Sequence, residues 1–337
     1  MRTWQTKRLM ATGSYKRWRS VLPWVVSAGL LFYVFGYATE WDRLLGALDE
    51  ADVPLFLVFA TADRLAFFAL WTYLSAVALR RFVVHVPVGS VFAIRGGSEL
   101  ARAVSNPLSD AAYFIGLVQL CGGRIDAVVA SALVPVVSHF FVMLVQVTIA
   151  LPFQTGGISA VPGVAATAAV AWALLFASLF GVRLVRSGRI QSRWLEPVGD
   201  WLTRFPLREM TPFLWGFALL ALFDVHIQWL ASRAFGVDIE WMAMAARLPL
   251  VYLTFLIPTL GNFGTRELTW AALFGEYGER DALIAYAFSI NAIFLVLNVI
   301  LGVLFLSRAL ELIRAVRKTR REGGTVPKPL IGDPNNP

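Results

Sequence analysis

The chain has 337 residues, of which 58% are hydrophobic and only 15% are charged, and its mean hydropathy of +0.65 excludes an ordinary soluble domain. Its single cysteine excludes an internal disulfide and a cysteine-based metal site. The net charge of +8 comes mostly from basic residues that flank apolar runs, so it indicates membrane topology rather than nucleic-acid binding. These properties predict an all-α polytopic membrane protein.

The chain starts with a basic segment and then becomes apolar. Residues 1–20 contain arginines and lysines but no acid, and the apolar run 21–39 follows them. This run has no clear small-residue cleavage site after it, which favours a retained first span over a signal peptide. Together with this run, about six full transmembrane helices are predicted, the others at 53–79, 126–151, 161–182, 211–236 and 282–307.

The segments between the predicted spans differ in charge. The loop 40–52 is acidic, whereas 183–209 and the residues after 307 are basic. Because basic loops stay in the cytoplasm, we expect both termini and 183–209 on the cytoplasmic side of the inner membrane. The polar tail 317–337 is expected to be disordered.

Two further apolar stretches, 88–122 and 241–278, are broken near their middles. The first breaks at "SNPLSD" (105–110), and the second breaks in "IPTLGNFGTRELTW" (257–270). Residues 266–277 are too few to cross back, since a crossing takes about 20 residues. We therefore predict two re-entrant hairpins made of broken helices.

The order of span, span, hairpin and span occurs twice, in 21–151 and in 161–307. Each unit has an odd number of crossings, so the second unit would be inserted upside down. "GRIDAVVASA" (123–132) and "GERDALIAYA" (278–287) share a pattern directly after each hairpin. We predict that 21–310 is one transmembrane domain of two inverted repeats, an architecture that transporters build around a midplane site.

The second hairpin has the features of an anion site. Thr265 is expected to cap the second half-helix, after the turn residues Asn262 and Gly264, and a helix N-terminus offers N–H groups and a positive dipole end. Arg266 could then bind a phosphate bidentately, while its neighbour Glu267 faces another partner. The alternative is a tight interfacial loop without a ligand.

Polar residues inside the apolar runs are the other candidates, because a charge at the bilayer centre costs about 2.5–3.5 kcal/mol and usually lines a cavity. They could instead pair to hold the bundle together. The residues expected to contact substrate are Asp63, Arg64, Asp224, His226, Arg247, Asn106 and Asp110.

A second group of polar residues is interpreted as structural. Arg95, Glu99 and Arg102 share one helical face, as in ion pairs on a solvated cytoplasmic surface. His139, Asn291 and Asn298 are interpreted as packing or helix-linking residues. No metal-ligand spacing and no nucleotide motif appears in the sequence, so we expect neither a metal nor a cofactor, and no enzymatic activity.

The residues Pro258, Gly261, Gly264, Arg266 and Glu267 form a motif. It resembles the proline–glycine–glycine–Arg-Glu motif of the transmembrane region of lysylphosphatidylglycerol synthases, the flippase-like family. The resemblance implies translocation of a lipid between leaflets. That family usually has Asn, Gly-Gly and Arg in its first half, whereas here "PLSDAAYF" follows Asn106. The sequence has no soluble aminoacyl-transferase domain, so lysylphosphatidylglycerol synthesis is not expected.

Taken together, these features predict a flippase that moves a phospholipid or lipid-linked substrate, with a phosphate-bearing headgroup, through a midplane cavity between the hairpins. Protonation of Asp63, Asp224 or Glu267 is a candidate coupling event. The alternatives are a membrane-embedded lipid-modifying transferase, a non-catalytic partner of a lipid-modifying enzyme, and a carrier of small anions. No nucleic-acid partner is expected, and a homo-oligomer and a complex with a lipid enzyme both stay open.

Overall fold

A computed structural model of the chain describes residues 46, 49–102, 104–122, 125–187, 207–254 and 263–321. These residues are helical or lie in turns, with no β-strand among them. The predicted first span, 21–39, lies outside the described residues, as do the basic N-terminus, Asn262 and residues 322–337.

The first half of the described chain contains the longer helices α1 and α4, with a pair of short helices between them. Their bounds are Val53–Phe82 (α1), Val88–Arg102 (α2), Asn106–Leu120 (α3) and Ile125–Ala150 (α4).

The second half has the same order of long, short, short and long helices, preceded by one more long helix. A 3₁₀ turn (Leu151–Phe153) and a short helix α5 (Gly157–Ala160) lead into it. Its helices are Pro162–Arg186 (α6), Leu207–Arg233 (α7), Trp241–Leu253 (α8), Thr265–Phe274 (α9) and Arg280–Arg321 (α10).

Five helices among the described residues are long and apolar enough to cross a membrane. Their apolar segments are Val53–Phe82, Ala127–Phe153, Pro162–Gly181, Arg208–Arg233 and Arg280–Val316. These segments overlap the predicted spans after the first, so the protein is an α-helical polytopic membrane protein. The start of the predicted tail, 317–321, is the end of α10.

Local sequence explains where the first helices begin. The Asp52 side chain accepts the N–H of Leu55 at 3.1 Å and caps α1, and Pro54 lies in its first turn. Ser105 is extended, with φ −163° and ψ 133°, and Pro107 follows in the first turn of α3. Because proline is tolerated in the first turn of a helix but not in its interior, α2 cannot continue through Pro107, and the chain breaks at the predicted place.

Helices α2 and α3 form an antiparallel pair. The Ser109 hydroxyl donates to the Ser98 carbonyl at 2.9 Å, and Gly116 packs against Ile94. Each helix has 15 residues, about 22 Å at 1.5 Å per residue, so neither could cross a hydrocarbon core of about 30 Å. The pair α8 and α9 is shorter still, and the residues joining it, 255–262, lie outside the described chain.

The two halves pack through an exchange of helices. Helix α2 of the first half lies against α10 of the second, where a Cβ added to Gly302 would lie 2.6 Å from the backbone nitrogen of Leu100. Helix α8 of the second half lies against α4 of the first, and the Gln146 side chain donates to the Ala245 carbonyl at 2.8 Å. Small residues allow such close approach inside a membrane.

Helices α1 and α7 run antiparallel at the centre of this arrangement. The Asp52 N–H donates to the Ala234 carbonyl at 2.9 Å at one end, and Arg81 pairs with Glu209 at the other. Helix α6 lies outside, with Leu174 and Phe180 more than 60% exposed, as expected for a helix that faces lipid. The mid-helix residues of α1 and α7 therefore meet inside the bundle.

Candidate functional site

A cavity of about 580 Å³ lies between α1, α2, α3, α4 and α10, with Tyr252 of α8 and Arg266 of α9 also in its wall. This volume falls within the range of about 300–1,000 Å³ that is usual for small-molecule sites. The cavity is amphipathic, because different helices supply its polar and apolar residues. Helix α2 contributes Arg95 and Arg102, whereas α4 contributes mostly apolar residues, among them Val136 and Met143.

Buried Glu99 organises the polar part of the wall. Its carboxylate accepts from Arg64 Nη2 at 2.5 Å and is paired with Arg95 Nε at 3.1 Å and Arg102 Nε at 2.9 Å. The Glu99 side chain is 0% exposed. Burial raises the pKa of this carboxyl group, but Arg102, Arg95 and Arg64 outweigh burial and hold the pKa below its usual value. Glu99 therefore stays ionised and holds the guanidinium groups at fixed positions.

Asp110 contacts the same arginines from the open side. Its Oδ1 atom accepts from Arg102 Nη2 at 2.7 Å and from Arg95 Nη1 at 3.3 Å, and its side chain is 60% exposed. Arg102 Nη1 also donates to Asn106 Oδ1 at 3.1 Å. Asp110 is a carboxylate that can leave its arginines without breaking a packed core, whereas Glu99 cannot.

The interpretation of Arg95, Glu99 and Arg102 as a solvated cytoplasmic surface was wrong. The predicted i,i+4 ion pair between Arg95 and Glu99 is present, but Glu99 is fully buried and both arginines line the cavity. The reason is that α1, α3 and α10 cover this face of α2. Spacing within one helix cannot reveal which distant helix covers it.

A second polar cluster lies where α1 and α7 meet. The carboxyl groups of Asp63 and Asp224 lie within hydrogen-bonding distance of each other. Gln228 Nε2 donates to Asp63 Oδ2 at 2.8 Å, and the Tyr252 hydroxyl donates to Asp224 Oδ2 at 2.6 Å. Tyr286 donates to Gln228 Oε1 and closes the cluster against α10. Both predicted aspartates are buried in the bundle, and Asp63 reaches the cavity wall.

The start of α9 differs from the predicted anion site. Gly264, with φ 87°, is the N-cap, and Thr265 is the first helical residue, so the prediction of Thr265 as the cap was wrong. Glycine takes this position because L side chains rarely adopt a positive φ. Glu267 Oε2 accepts the Gly264 N–H at 2.7 Å, and Asn291 donates to Glu267 Oε1 at 2.9 Å. The Glu267 carboxylate thus occupies the helix start that was expected to bind a phosphate.

Arg266 lies in the cavity wall. Its Nη1 atom donates to Asn291 Oδ1 at 3.1 Å, and its guanidinium group lies 5.3 Å from the centroid of the Phe294 ring. Asn291 therefore joins Arg266 to Glu267, although these neighbours point in different directions. Glu267 itself is buried and does not line the cavity.

Two predicted substrate residues lie away from the cavity. Arg247 is buried beside α9, where it donates to the Leu273 carbonyl at 2.6 Å and pairs with Glu276 at 2.6 Å. His226 is exposed on α7 and packs against Trp229, with ring centroids 5.4 Å apart. Arg247 therefore holds the α8–α9 pair together, and His226 faces away from the bundle.

The cavity also contains residues that the sequence interpretation left as structural or did not single out. Asn298 Oδ1 accepts from Arg64 Nε at 2.8 Å, and the Tyr113 ring lies 4.8 Å from the Arg95 guanidinium. Asn291 and Asn298 lie seven residues apart on one face of α10, and this spacing was the sequence feature that could have placed both at the cavity. Tyr113 and Tyr252 gave no comparable signal, because tyrosine is common in apolar helices near interfaces.

The arrangement suits an anion attached to an apolar chain. Arg64, Arg95 and Arg102 carry three positive charges against the two negative charges of Glu99 and Asp110. Guanidinium groups bind phosphate bidentately, and the apolar residues of α4 face the remaining space. No protein-family profile and no characterised protein matches the sequence.

Proposed function

We propose that this protein moves a lipid with a phosphate-bearing headgroup, either a phospholipid or a lipid-linked substrate, between the leaflets of the cytoplasmic membrane. The observation that carries this proposal is the amphipathic cavity, which combines an arginine cluster with an apolar wall. A lipid needs both surfaces, since its headgroup must avoid hydrocarbon while its acyl chains remain in it. The resemblance of the second hairpin to the flippase-like family points to the same activity.

In this proposal the headgroup phosphate binds to Arg95 and Arg102 on α2, in place of the Asp110 carboxylate. Asp110 contacts both arginines through one oxygen atom and is largely exposed, so a phosphate could displace it. The start of α9 is a poorer phosphate site, since the Glu267 carboxylate already accepts its N–H group. From the arginine cluster, Arg64 and Arg266 continue the positive lining towards Asp63.

Two inverted repeats with re-entrant hairpins form the frame of this proposal. The exchange of α2 and α8 between the halves is the relation that a two-fold axis would produce. Helices α4 and α10 both begin at the third residue of the related segments, at Ile125 and Arg280. Helices α2, α3, α8 and α9 are each too short to cross, so we place both pairs as re-entrant hairpins.

The alternative function is transport of small anions, for which the arginine cluster alone would be sufficient. It would bind the phosphate group without needing the apolar residues of α4. The two functions differ in whether the ligand requires acyl chains, and this difference can be measured directly.

The test is lipid translocation in proteoliposomes made with native lipid extract and a headgroup-labelled phospholipid. Fluorescence of the outer leaflet is quenched chemically, and the wild type is compared with Arg102→Gln. We expect the wild type to expose inner-leaflet lipid and Arg102→Gln to lose most of this activity, since glutamine cannot bind phosphate as a charged fork. Arg233→Gln is the control, because Arg233 forms a similar pair with Asp238 on the exposed surface.

Uptake of glycerol phosphate, which is a headgroup without acyl chains, forms the second arm. Uptake of this solute without movement of lipid would replace the flippase with an anion carrier. Absence of both activities, with native lipids and with a pH gradient, would overturn the proposed transport function. That result would favour a membrane-embedded transferase or a non-catalytic partner of a lipid-modifying enzyme.

A further inference from the structure

The meeting point of Asp63 and Asp224 brings two carboxyl groups together inside the bundle. Asp63 is 3% exposed and Asp224 is 5% exposed, and each comes from the middle of a membrane-spanning helix. Two carboxylates in contact repel each other, and burial strengthens the repulsion because water is excluded. A proton between them removes the repulsion and provides the donor that their hydrogen bond requires.

The neutral groups around this pair donate hydrogen bonds to the two carboxyl groups but do not separate them. Gln228 of α7 donates to Asp63, and Tyr252 of α8 donates to Asp224. The charged groups acting on the pair are Arg266 of α9 and Arg64 of α1, and Tyr286 of α10 is the further titratable group in contact with Gln228. His139 of α4 lines the same cavity but lies among aromatic rings, with the Trp71 centroid 5.0 Å away.

The balance of charge along the cavity also calls for one proton. Among the described residues that line the cavity or bond directly to its wall, four arginines face five carboxyl groups. These are Arg64, Arg95, Arg102 and Arg266, with Asp63, Glu99, Asp110, Asp224 and Glu267. If every group were ionised, the cluster would carry one net negative charge, and all of its carboxyl groups except Asp110 are buried. One bound proton makes it neutral, which greatly lowers the cost of burial.

The contacts of each carboxyl group indicate where this proton sits. Glu99 has the Arg64, Arg95 and Arg102 guanidinium groups around it, and Asp110 has two of the same arginines. Glu267 accepts from the Gly264 N–H and from Asn291. Asp63 and Asp224 instead face each other. Glu267 has two neutral donors and no second carboxyl group beside it, whereas Asp63 and Asp224 repel each other unless a proton lies between them, so we place the proton there.

We infer that Asp63 and Asp224 share one proton and that this pair is the site through which the transporter couples lipid movement to a proton gradient. The inference deepens the proposed function and rests on it for the coupling step, while the shared proton stands on the geometry alone. A phosphate that moves from Arg95 and Arg102 along the cavity to Arg64 and Arg266 offsets the positive charges that favour an ionised pair. Binding of the anionic headgroup and of the proton therefore assist each other, as thermodynamic linkage requires.

The shared proton can be tested without any transport. Purified protein containing ¹³C-labelled aspartate is examined by infrared difference spectroscopy, in which the carbonyl band of a protonated carboxyl group is separate from carboxylate bands. We expect an isotope-sensitive band at neutral pH in the wild type that is lost in both Asp63→Asn and Asp224→Asn. Asp238→Asn, at an exposed aspartate, should keep the band. A wild type without the band, or single variants that retain it, would overturn the shared proton.

Coupling is tested with the lipid-translocation assay under a pH gradient, with the membrane potential clamped. If one proton moves with each lipid, a difference of one pH unit should produce about a tenfold ratio of labelled lipid between the leaflets. In Asp63→Asn, which resembles a permanently protonated group, we expect lipid to equilibrate without this ratio. His139→Phe should keep the ratio, and its loss there would assign coupling to the histidine instead.

The two assays separate the possible failures. If the infrared band of a protonated carboxyl group is present but the pH gradient does not change the distribution of lipid, the shared proton is structural and coupling is overturned. Absence of any translocation overturns the proposed function and coupling with it, and the spectrum still decides the shared proton. Size-exclusion chromatography of Asp63→Asn and Asp224→Asn shows whether each variant is folded. Asparagine can donate to the remaining aspartate, so we expect both to elute like the wild type.

Discussion

The fully buried Glu99 carboxylate holds the guanidinium groups of Arg64, Arg95 and Arg102 together at the cavity wall. Without it, these like charges would face one another across a few ångströms. Buried ion pairs contribute little net stability compared with apolar packing, but removing one partner leaves the others uncompensated. Glu99 is therefore expected to matter more for folding than any exposed acid of this chain.

We expect Glu99→Gln to lower the free energy of unfolding by about 3–5 kcal/mol, the cost typical of breaking a buried pair. Thermal unfolding in detergent measures this change, and Asp238→Asn, which breaks the exposed Arg233–Asp238 pair, should change it by no more than about 1 kcal/mol. Equal effects of the two substitutions would contradict the burial of Glu99.

The same residue predicts a pH dependence. The pKa of Glu99 is lower in the folded protein than its usual value of 4.5, so the folded state binds its proton less readily than the unfolded state. Its stabilising contribution is therefore present above pH 4.5 and is lost as the pH falls through the lower, folded value. Glu99→Gln should lose less stability than the wild type over that acidic range, and parallel unfolding curves would count against this assignment.

At the scale of helices, the close contact between α2 and α10 depends on residues without side chains. A Cβ added to Gly302 would lie 2.6 Å from the backbone nitrogen of Leu100, and one added to Gly97 would lie 2.8 Å from Ala309. Backbone cannot move aside as a flexible side chain can. The position of Arg95 and Arg102 in the cavity therefore follows from glycines that they do not touch.

We expect Gly302→Ala to destabilise the protein by about 1–3 kcal/mol, because one added methyl group overpacks the α2–α10 contact. Gly181→Ala on α6 is the matched control, since nothing lies within 4 Å of a Cβ there and alanine favours helix. Unfolding in detergent compares the two variants. A stabilising effect of Gly302→Ala would mean that α2 and α10 are farther apart than described.

The sequence predicts the helices better than it predicts their environments. Asp63 and Asp224 could be found because a charge within a long apolar run is costly, and Pro107 marked the first break. The burial of Glu99 could not be found, since α10 covers its face and lies some two hundred residues further along the chain. Helix α9 begins at Thr265, close to the predicted position, but the cap is Gly264 rather than Thr265, because the backbone there has a positive φ that favours glycine.

At the scale of the whole molecule, contacts between helix ends indicate which ends lie on the same side of the membrane. Helix α1 ends where α7 begins, at the Arg81–Glu209 pair, and the last turn of α6, which precedes α7 along the chain, contains arginines. The turn around Asp238, between α7 and α8, then lies on the opposite side. By the positive-inside rule, we expect the first of these sides to face the cytoplasm.

This orientation predicts a labelling pattern in intact cells. With the buried Cys121 replaced by alanine, a membrane-impermeant maleimide should label Asp238→Cys from outside, because Asp238 is 79% exposed. Ser187→Cys, just past the end of α6, should be labelled only after the membrane is opened. The reverse pattern would invert the topology and place the arginine cluster at the other mouth of the bundle.

The exchange of helices between the halves also has a consequence for the order of assembly. Helix α2 leaves the ribosome some two hundred residues before the part of α10 that covers it. At about 5–20 residues per second, its arginine-bearing face waits roughly 10–40 s for its partner. During that time the α2–α3 pair cannot take its final place, however complete the earlier helices are. Helix α10 thus closes the cavity long after α2 is made, and a nascent chain arrested before α10 should present this polar face to the insertion machinery.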